Sequence, residues 1–170
     1  MRKILTSLLL AASLAGCAST QPAATKLVKA DILPLALDDT FQFRKQKLAY
    51  MGPEPIPTTT SEPFTFETRR MRWGAIDNAD IIERYGNYFS FFWRTSQEAD
   101  VTVRLEYRQA ALGNYVMAQE IFYPQARGSF RSDFRVTGDD FSEFGRVTAW
   151  RALLVVDGRI VALSQSFIWR

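Results

Sequence analysis

The sequence predicts an all-β protein: an antiparallel β-sandwich of about seven strands over residues 64–170, preceded by a leader at 1–16 and a partly structured linker at 17–63. Three observations carry this expectation. Apolar residues recur at every second position in several stretches, the spacing that sends alternate side chains to opposite faces of a strand. Asp157-Gly158 lies between two apolar runs, and a type I′ hairpin turn needs positive φ at both central residues, which this pair tolerates. After Phe64 no stretch of useful length repeats at the helical period.

The elements follow in order. In "NYFSFFWRT" (87–95) Phe89, Phe91 and Trp93 point one way, with Ser90 and Arg94 opposite. In "DVTVRLEYRQ" (100–109) Val101, Val103, Leu105 and Tyr107 alternate with Thr102, Arg104, Glu106 and Arg108. "YVMAQEIFY" and "FRSDFRV" continue as strands through the connections "ALGN" and "PQARG". "RVTAWRALLVV" and "RIVALSQSFIW" form the hairpin around Asp157-Gly158. Upstream, "MGPEPIPTTTSEP" (51–63) is Pro- and Thr-rich and reads as an extended spacer. The stretch before it carries Ile32, Leu33, Leu35, Leu37, Phe41 and Phe43, too much apolar surface for a free tether, so residues 32–43 are expected to pack on the domain.

Short strands in this number and spacing resemble the architecture of immunoglobulin and fibronectin type III domains, in which Trp93 or Trp150 would be the buried central tryptophan. The disulfide of antibody domains has no counterpart, because Cys17 is the single cysteine. A small closed barrel is the alternative.

The first residues address the chain. Arg2 and Lys3 precede "ILTSLLLAASLA", an apolar run shorter than the roughly 20 residues needed to span a bilayer, which is the layout of a secretory signal peptide. Leu14-Ala15-Gly16-Cys17 resembles the lipobox of bacterial lipoproteins. The resemblance implies signal-peptidase recognition through Leu14, Ala15 and Gly16, a diacylglyceryl group on the Cys17 sulfur, cleavage before Cys17 and acylation of the new amino end. Two or three acyl chains hold a protein stably where one holds it marginally. Lipoproteins of this kind usually need an aspartate after the cysteine to stay in the inner membrane, so Ala18 implies the outer membrane in a cell with two.

Composition narrows the chemistry. Loss of Arg2 and Lys3 from the 21 basic residues leaves 19 against 18 acidic ones, a formal charge of +1. The pI near 9.2 belongs to the uncleaved chain and does not argue for a nucleic-acid partner. Histidine is absent, which removes Ser-His-Asp and Cys-His nucleophile systems, histidine general bases and most zinc sites. No cofactor is expected, and an enzyme would have to be a hydrolase working with carboxylates, for which no pattern speaks.

Several clusters invite a chemical reading. Asp139, Asp140 and Glu143 in "TGDDFSEFG" offer oxygen ligands for calcium, but their spacing is not that of an Asp-x-Asp-x-Asp-Gly loop and turn chemistry explains them better. Arg69, Arg70 and Arg72 beside Trp73 suit an anionic partner or, more simply, a charged edge strand guarded against pairing. Arg104, Glu106 and Arg108 read as a solvated sheet face with cross-strand charge pairs.

With a two-residue turn at Asp157-Gly158, Leu154 faces Val161, Ala152 faces Leu163 and Trp150 faces Gln165 on the core side. On the other side Val155 meets Ile160, Leu153 meets Ala162 and Val147 meets Ile168, with Arg151 opposite Ser164. A one-sided sheet should be polar there. Val147, Leu153, Val155, Ile160 and Ile168 therefore form a face that something must cover: either residues 32–43 of the same chain or a protein partner. The expectation is a lipid-anchored envelope module that is not catalytic and binds a protein partner. A carbohydrate-binding module or a purely structural lipoprotein are the alternatives.

Overall fold

The computed structural model describes residues 21–53, 75 and 77–169. Leu14, Ala15, Gly16 and Cys17, residues 54–63 of the Pro/Thr-rich stretch, and Arg69, Arg70, Arg72 and Trp73 lie outside the described residues. The elements are β1 (Thr25–Leu27), β2 (Phe41–Met51), α1 (Asn78–Glu83), β3 (Gly86–Gln109), β4 (Met117–Thr137), α2 (Asp139–Phe144), β5 (Val147–Val156) and β6 (Arg159–Gln165). The fold is all-β, antiparallel and sandwich-like. Its six strands among the described residues form one connected sheet in the order β1-β4-β3-β5-β6, with β2 on β3.

One hairpin generates both layers. β3 and β4 are 24 and 21 residues long and pair along nearly their whole length. Their register breaks between Thr95 and Ala99 and again between Ala99 and Val101. On β4 the break falls at "PQARG", where Pro124 cannot donate to a ladder, Gln125 takes φ +47° and Gly128 φ +99°. The hairpin folds over at this bend. β2 pairs with the first half of β3, from Phe41↔Thr95 to Met51↔Gly86, and β5 pairs with the second half. The expected strands at 87–95 and 100–109 are thus one strand, as are those at 115–123 and 130–136, because the chain bends between them without turning back.

The interior lies between the halves. Phe91 from the first half of β3 meets Trp150 of β5 at 5.4 Å between ring centroids, and Phe89 meets it at 6.2 Å. Trp93 stacks on Phe130 at 4.7 Å and meets Tyr123 edge-on at 5.2 Å. Its indole N–H donates to Ser132 Oγ at 2.9 Å, so the one polar atom of this ring is satisfied. Trp93 and Trp150 are both buried, and Val101, Val103, Leu105 and Tyr107 face inward as their alternation predicts. Burial raises the Tyr107 and Tyr123 hydroxyl pKa values above the ordinary phenol value.

Backbone geometry fixes two glycine positions, one by close approach and one by positive φ. A Cβ on Gly86 would fall 2.1 Å from the Val136 carbonyl oxygen, so β3 can start against β4 only without a side chain. Asp157 and Gly158 adopt φ +49° and +69°, the I′ geometry that the dipeptide predicts. Val155↔Ile160 pair as expected. Beyond them a bulge at Val161 shifts the register, giving Leu154↔Ala162, Leu153↔Leu163 and Arg151↔Gln165 instead of the partners expected from an unbroken ladder.

The domain begins before residue 64. β1 pairs with β4 through Thr25↔Glu120 to Leu27↔Ala118, and Phe41 and Met51 of β2 are buried. Residues expected in the linker are therefore parts of the sheet, because their apolar side chains find their partners there. α1 and α2 are six residues each, too short to show a helical period in the sequence. α2 is tied down by buried Gln109, whose side-chain amide donates to the carbonyls of Asp140 and Gly145, both at 2.8 Å.

Candidate functional site

The outward side of the second half of β3 carries the charges that sequence assigns to solvent. Two of the three are not solvated, Arg104 being 7 % exposed and Glu106 4 %, while Arg108 is half-buried. The reason is a segment of the same chain. After Leu27 the backbone crosses the sheet, where the Asp31 carbonyl accepts from Arg104 Nη1 at 2.8 Å. Leu33 packs on Leu153, Val155 and Ile160. The chain then joins the outer edge of β6: Ile160 N–H donates to the Pro34 carbonyl and Ala36 N–H to the Ile160 carbonyl, each at 2.9 Å, and Asp38 N–H donates to the Val161 carbonyl at 3.0 Å.

Beneath this cover the charges pair with one another. Arg104 Nε lies 2.5 Å from Glu120 Oε1, and its Nη1 is 3.7 Å from Glu106 Oε1. Arg151 Nε lies 2.6 Å from Glu106 Oε2. Buried charges are tolerable when each has a partner, and the chain Glu120–Arg104–Glu106–Arg151 provides one for each. Buried Trp169 adds an aromatic face, 5.1 Å from the Arg151 guanidinium and 4.7 Å from that of Arg108.

Next to this network lies a cleft of about 300 Å³ lined by residues 27–32, residues 115–118, Glu106 and Arg151. Glu106 and Arg151 line it with their paired charges, and Val28, Ile32 and Tyr115 supply exposed apolar surface. Val28 and Ile32 are fully exposed. The arrangement can take up an apolar side chain beside a polar wall. Each Glu106 oxygen already faces a guanidinium, so this carboxylate holds the wall together and is badly placed to accept a proton from a ligand.

The residues expected to form the open face behave differently from one another. Leu153, Val155 and Ile160 come together, but they are buried under Leu33. Val147 belongs to the interior instead, because a register break at Arg108/Gln109 turns it inward. Ile168 stays 67 % exposed. The chain's own segment, one of the two covers expected for this face, lies over Leu153, Val155 and Ile160. Asp139, Asp140 and Glu143 fall on α2, and Asp140 pairs with Lys26 at 2.5 Å. Among the described residues no three His, Cys, Asp or Glu side chains converge as a metal site would need. Val28 is missed by sequence reasoning, since it stands in no periodic run, and Tyr115 is read there only as the start of a strand; Ile32 is noticed, but as a covering residue.

Comparison with protein-family models, curated proteins and solved structures finds no match, so no activity carries over from a relative.

Proposed function

We propose that this chain is an acylated lipoprotein of the bacterial envelope, in the outer membrane where the cell has two, that acts without catalysis by binding a protein partner at the cleft. The lipobox-like Leu14-Ala15-Gly16-Cys17 supports the anchor. One observation carries the binding reading: Val28 and Ile32 are fully exposed aliphatic residues in a segment whose neighbours are fixed, Leu27 by β1 and Leu33 by its packing. Exposed apolar surface held beside a cleft marks an interaction site. A carbohydrate site would need exposed coplanar aromatics; Trp93, Trp150 and Trp169 are buried, and among the described residues Tyr115 is the single aromatic lining the cleft, which favours protein over carbohydrate.

Covering one such side chain gains roughly 1.5–3 kcal/mol, so Ile32→Lys should weaken the complex by about tenfold or more. The measurement is photo-crosslinking in the native host from position 32, with Thr148, which is exposed elsewhere, as the control position. A defined adduct from position 32 that is lost in Val28→Lys supports the reading. Equal adducts from both positions, or none from either, refute it.

A further inference from the structure

We infer that the acyl anchor seats the bend of the β3–β4 hairpin against the bilayer, so that the domain stands on that end and presents the opposite end outward. The inference rests on acylation at Cys17 and deepens the anchor reading: the partner it names is a lipid surface, met by a particular end of the fold.

The reach of the chain decides it. Residues 17–63 read in sequence as a stalk, but the described chain is bound to the sheet from Gln21 onward. The Gln21 side-chain amide donates to the Arg131 carbonyl and also bonds the Tyr123 hydroxyl. β1 follows at once, and Lys26 is held by Asp140. Only Ala18, Ser19 and Thr20 stand between Cys17 and Gln21. At no more than about 3.6 Å per residue, the Cys17 backbone lies within roughly 14 Å of that of Gln21.

Direction settles which end is near. β1 runs antiparallel to β4, which travels from Met117 toward the bend at residues 124–128. Followed backward, the chain leaves β1 toward the bend, and Gln21 sits beside Tyr123 and Arg131, the residues flanking it. The bend end also carries the Asp157-Gly158 turn, since Val155 pairs with Thr102. The far end carries Gly113, Asn114, α2 and Gly86. The second half of β3 separates the two ends by about 27 Å at 3.3 Å per residue, nearly twice what the tether can span.

Charge does not orient the domain. Arg94, Arg127, Arg131 and Arg159 stand at or near this end with Glu98, Asp100 and Asp157, and Asp133 lies two residues beyond Arg131 along β4. Asp133 accepts from Arg131 at 2.8 Å, and Asp100 accepts from the Gln125 backbone N–H at 2.8 Å. The signs balance, so a zwitterionic bilayer is enough.

The test uses the full acylated chain in phosphatidylcholine vesicles that contain nitroxide-labelled phosphatidylcholine. A fluorophore is placed through Arg127→Cys at the bend or Asn114→Cys at the far end; the acylated Cys17 sulfur does not compete for the label. Quenching severalfold stronger at 127 than at 114, unchanged by added salt, is expected. A 20-residue Gly/Ser insert between Thr20 and Gln21, whose mean span is about 25 Å, should bring the two positions close to equal. Equal quenching without the insert, or a difference that appears only with anionic lipid, overturns the inference while leaving the anchor standing. A mass spectrum showing Cys17 without acyl groups overturns both.

Discussion

The two faces of β3's second half are built from alternating residues of one strand and are stabilised in different ways. Inward, Val101, Val103, Leu105 and Tyr107 meet Trp150, Ala152 and Leu154 in an interior made by the sheet folding on itself. Outward, Arg104 and Glu106 lie beside Leu153 and Val155, and neither set is buried by the sheet alone. The inner face needs only the fold; the outer face needs a separate segment, residues 28–38, and a chain of ion pairs that neutralises what the segment encloses. A strand's alternation therefore states which side is apolar, but not whether the polar side sees water.

Truncating the inner face should do the most damage. Phe91→Ala removes a fully buried ring that contacts Phe89, Phe134 and Trp150, and should cost about 3–5 kcal/mol in urea unfolding followed by tryptophan fluorescence. A loss under about 1 kcal/mol would mean that the two halves do not share one core.

The outer face should be less sensitive and more recoverable. Glu106→Ala strands the Arg104 and Arg151 guanidiniums, but Arg104 keeps Glu120 and Arg151 is a third exposed, so the expected cost falls to about 2–3 kcal/mol. Replacing the pair together, Glu106→Leu with Arg151→Met, should restore most of that loss, since buried ion pairs often exchange for apolar residues at little cost. If the double variant is no better than the single one, the network is not the autonomous unit that its distances describe.

How much of this was legible follows from the same contrast. Inward residues could be read from period two because the interior is apolar on every strand that meets there, and the Asp157-Gly158 turn could be read because φ is a local property. Arg104 and Glu106 could not be placed, because their burial depends on Asp31, Glu120 and Arg151, which are distant in sequence or on other strands. Among the described residues the strands number six, and the expected short strands on either side of each bend merge into the 24-residue β3 and the 21-residue β4, since nothing in "TSQEAD" or "PQARG" distinguishes a bend from a reversal. The cleft was the least visible feature. Val28, Ile32 and Tyr115 become neighbours only once residues 28–38 cross the sheet.

The cover itself offers a milder test of independence. Leu33→Ala removes the partly buried apolar side chain that, among the described residues, packs on Leu153, Val155 and Ile160, and should cost roughly 1–2 kcal/mol. Hydrogen exchange should rise at Ala36 and Asp38, whose amides pair with β6, while amides in β3 stay protected. Uniform loss of protection would make cover and sheet one cooperative unit.

The smallest effects are ionic, and they should separate the faces by pH. At the end of the cover Asp38 accepts from Thr40 N–H at 2.8 Å and Thr40 Oγ1 at 2.7 Å, and these bonds hold its carboxyl below the ordinary 3.8. A depressed folded pKa contributes stability above the unfolded value and loses it as pH falls through the folded one. Asp38→Asn should therefore matter at pH 7 and cease to matter in acid. On the inner face burial raises Tyr107 above 10, opposed by the Gln119 amide that donates to its hydroxyl at 3.4 Å. The unfolded chain then ionises first, so stability is intact below pH 10 and falls as pH rises through the raised value. Tyr107→Phe should blunt this alkaline loss and leave the acid limb unchanged, while Asp38→Asn does the reverse; urea midpoints measured across pH for both variants would show whether the cover and the interior titrate as separate structures.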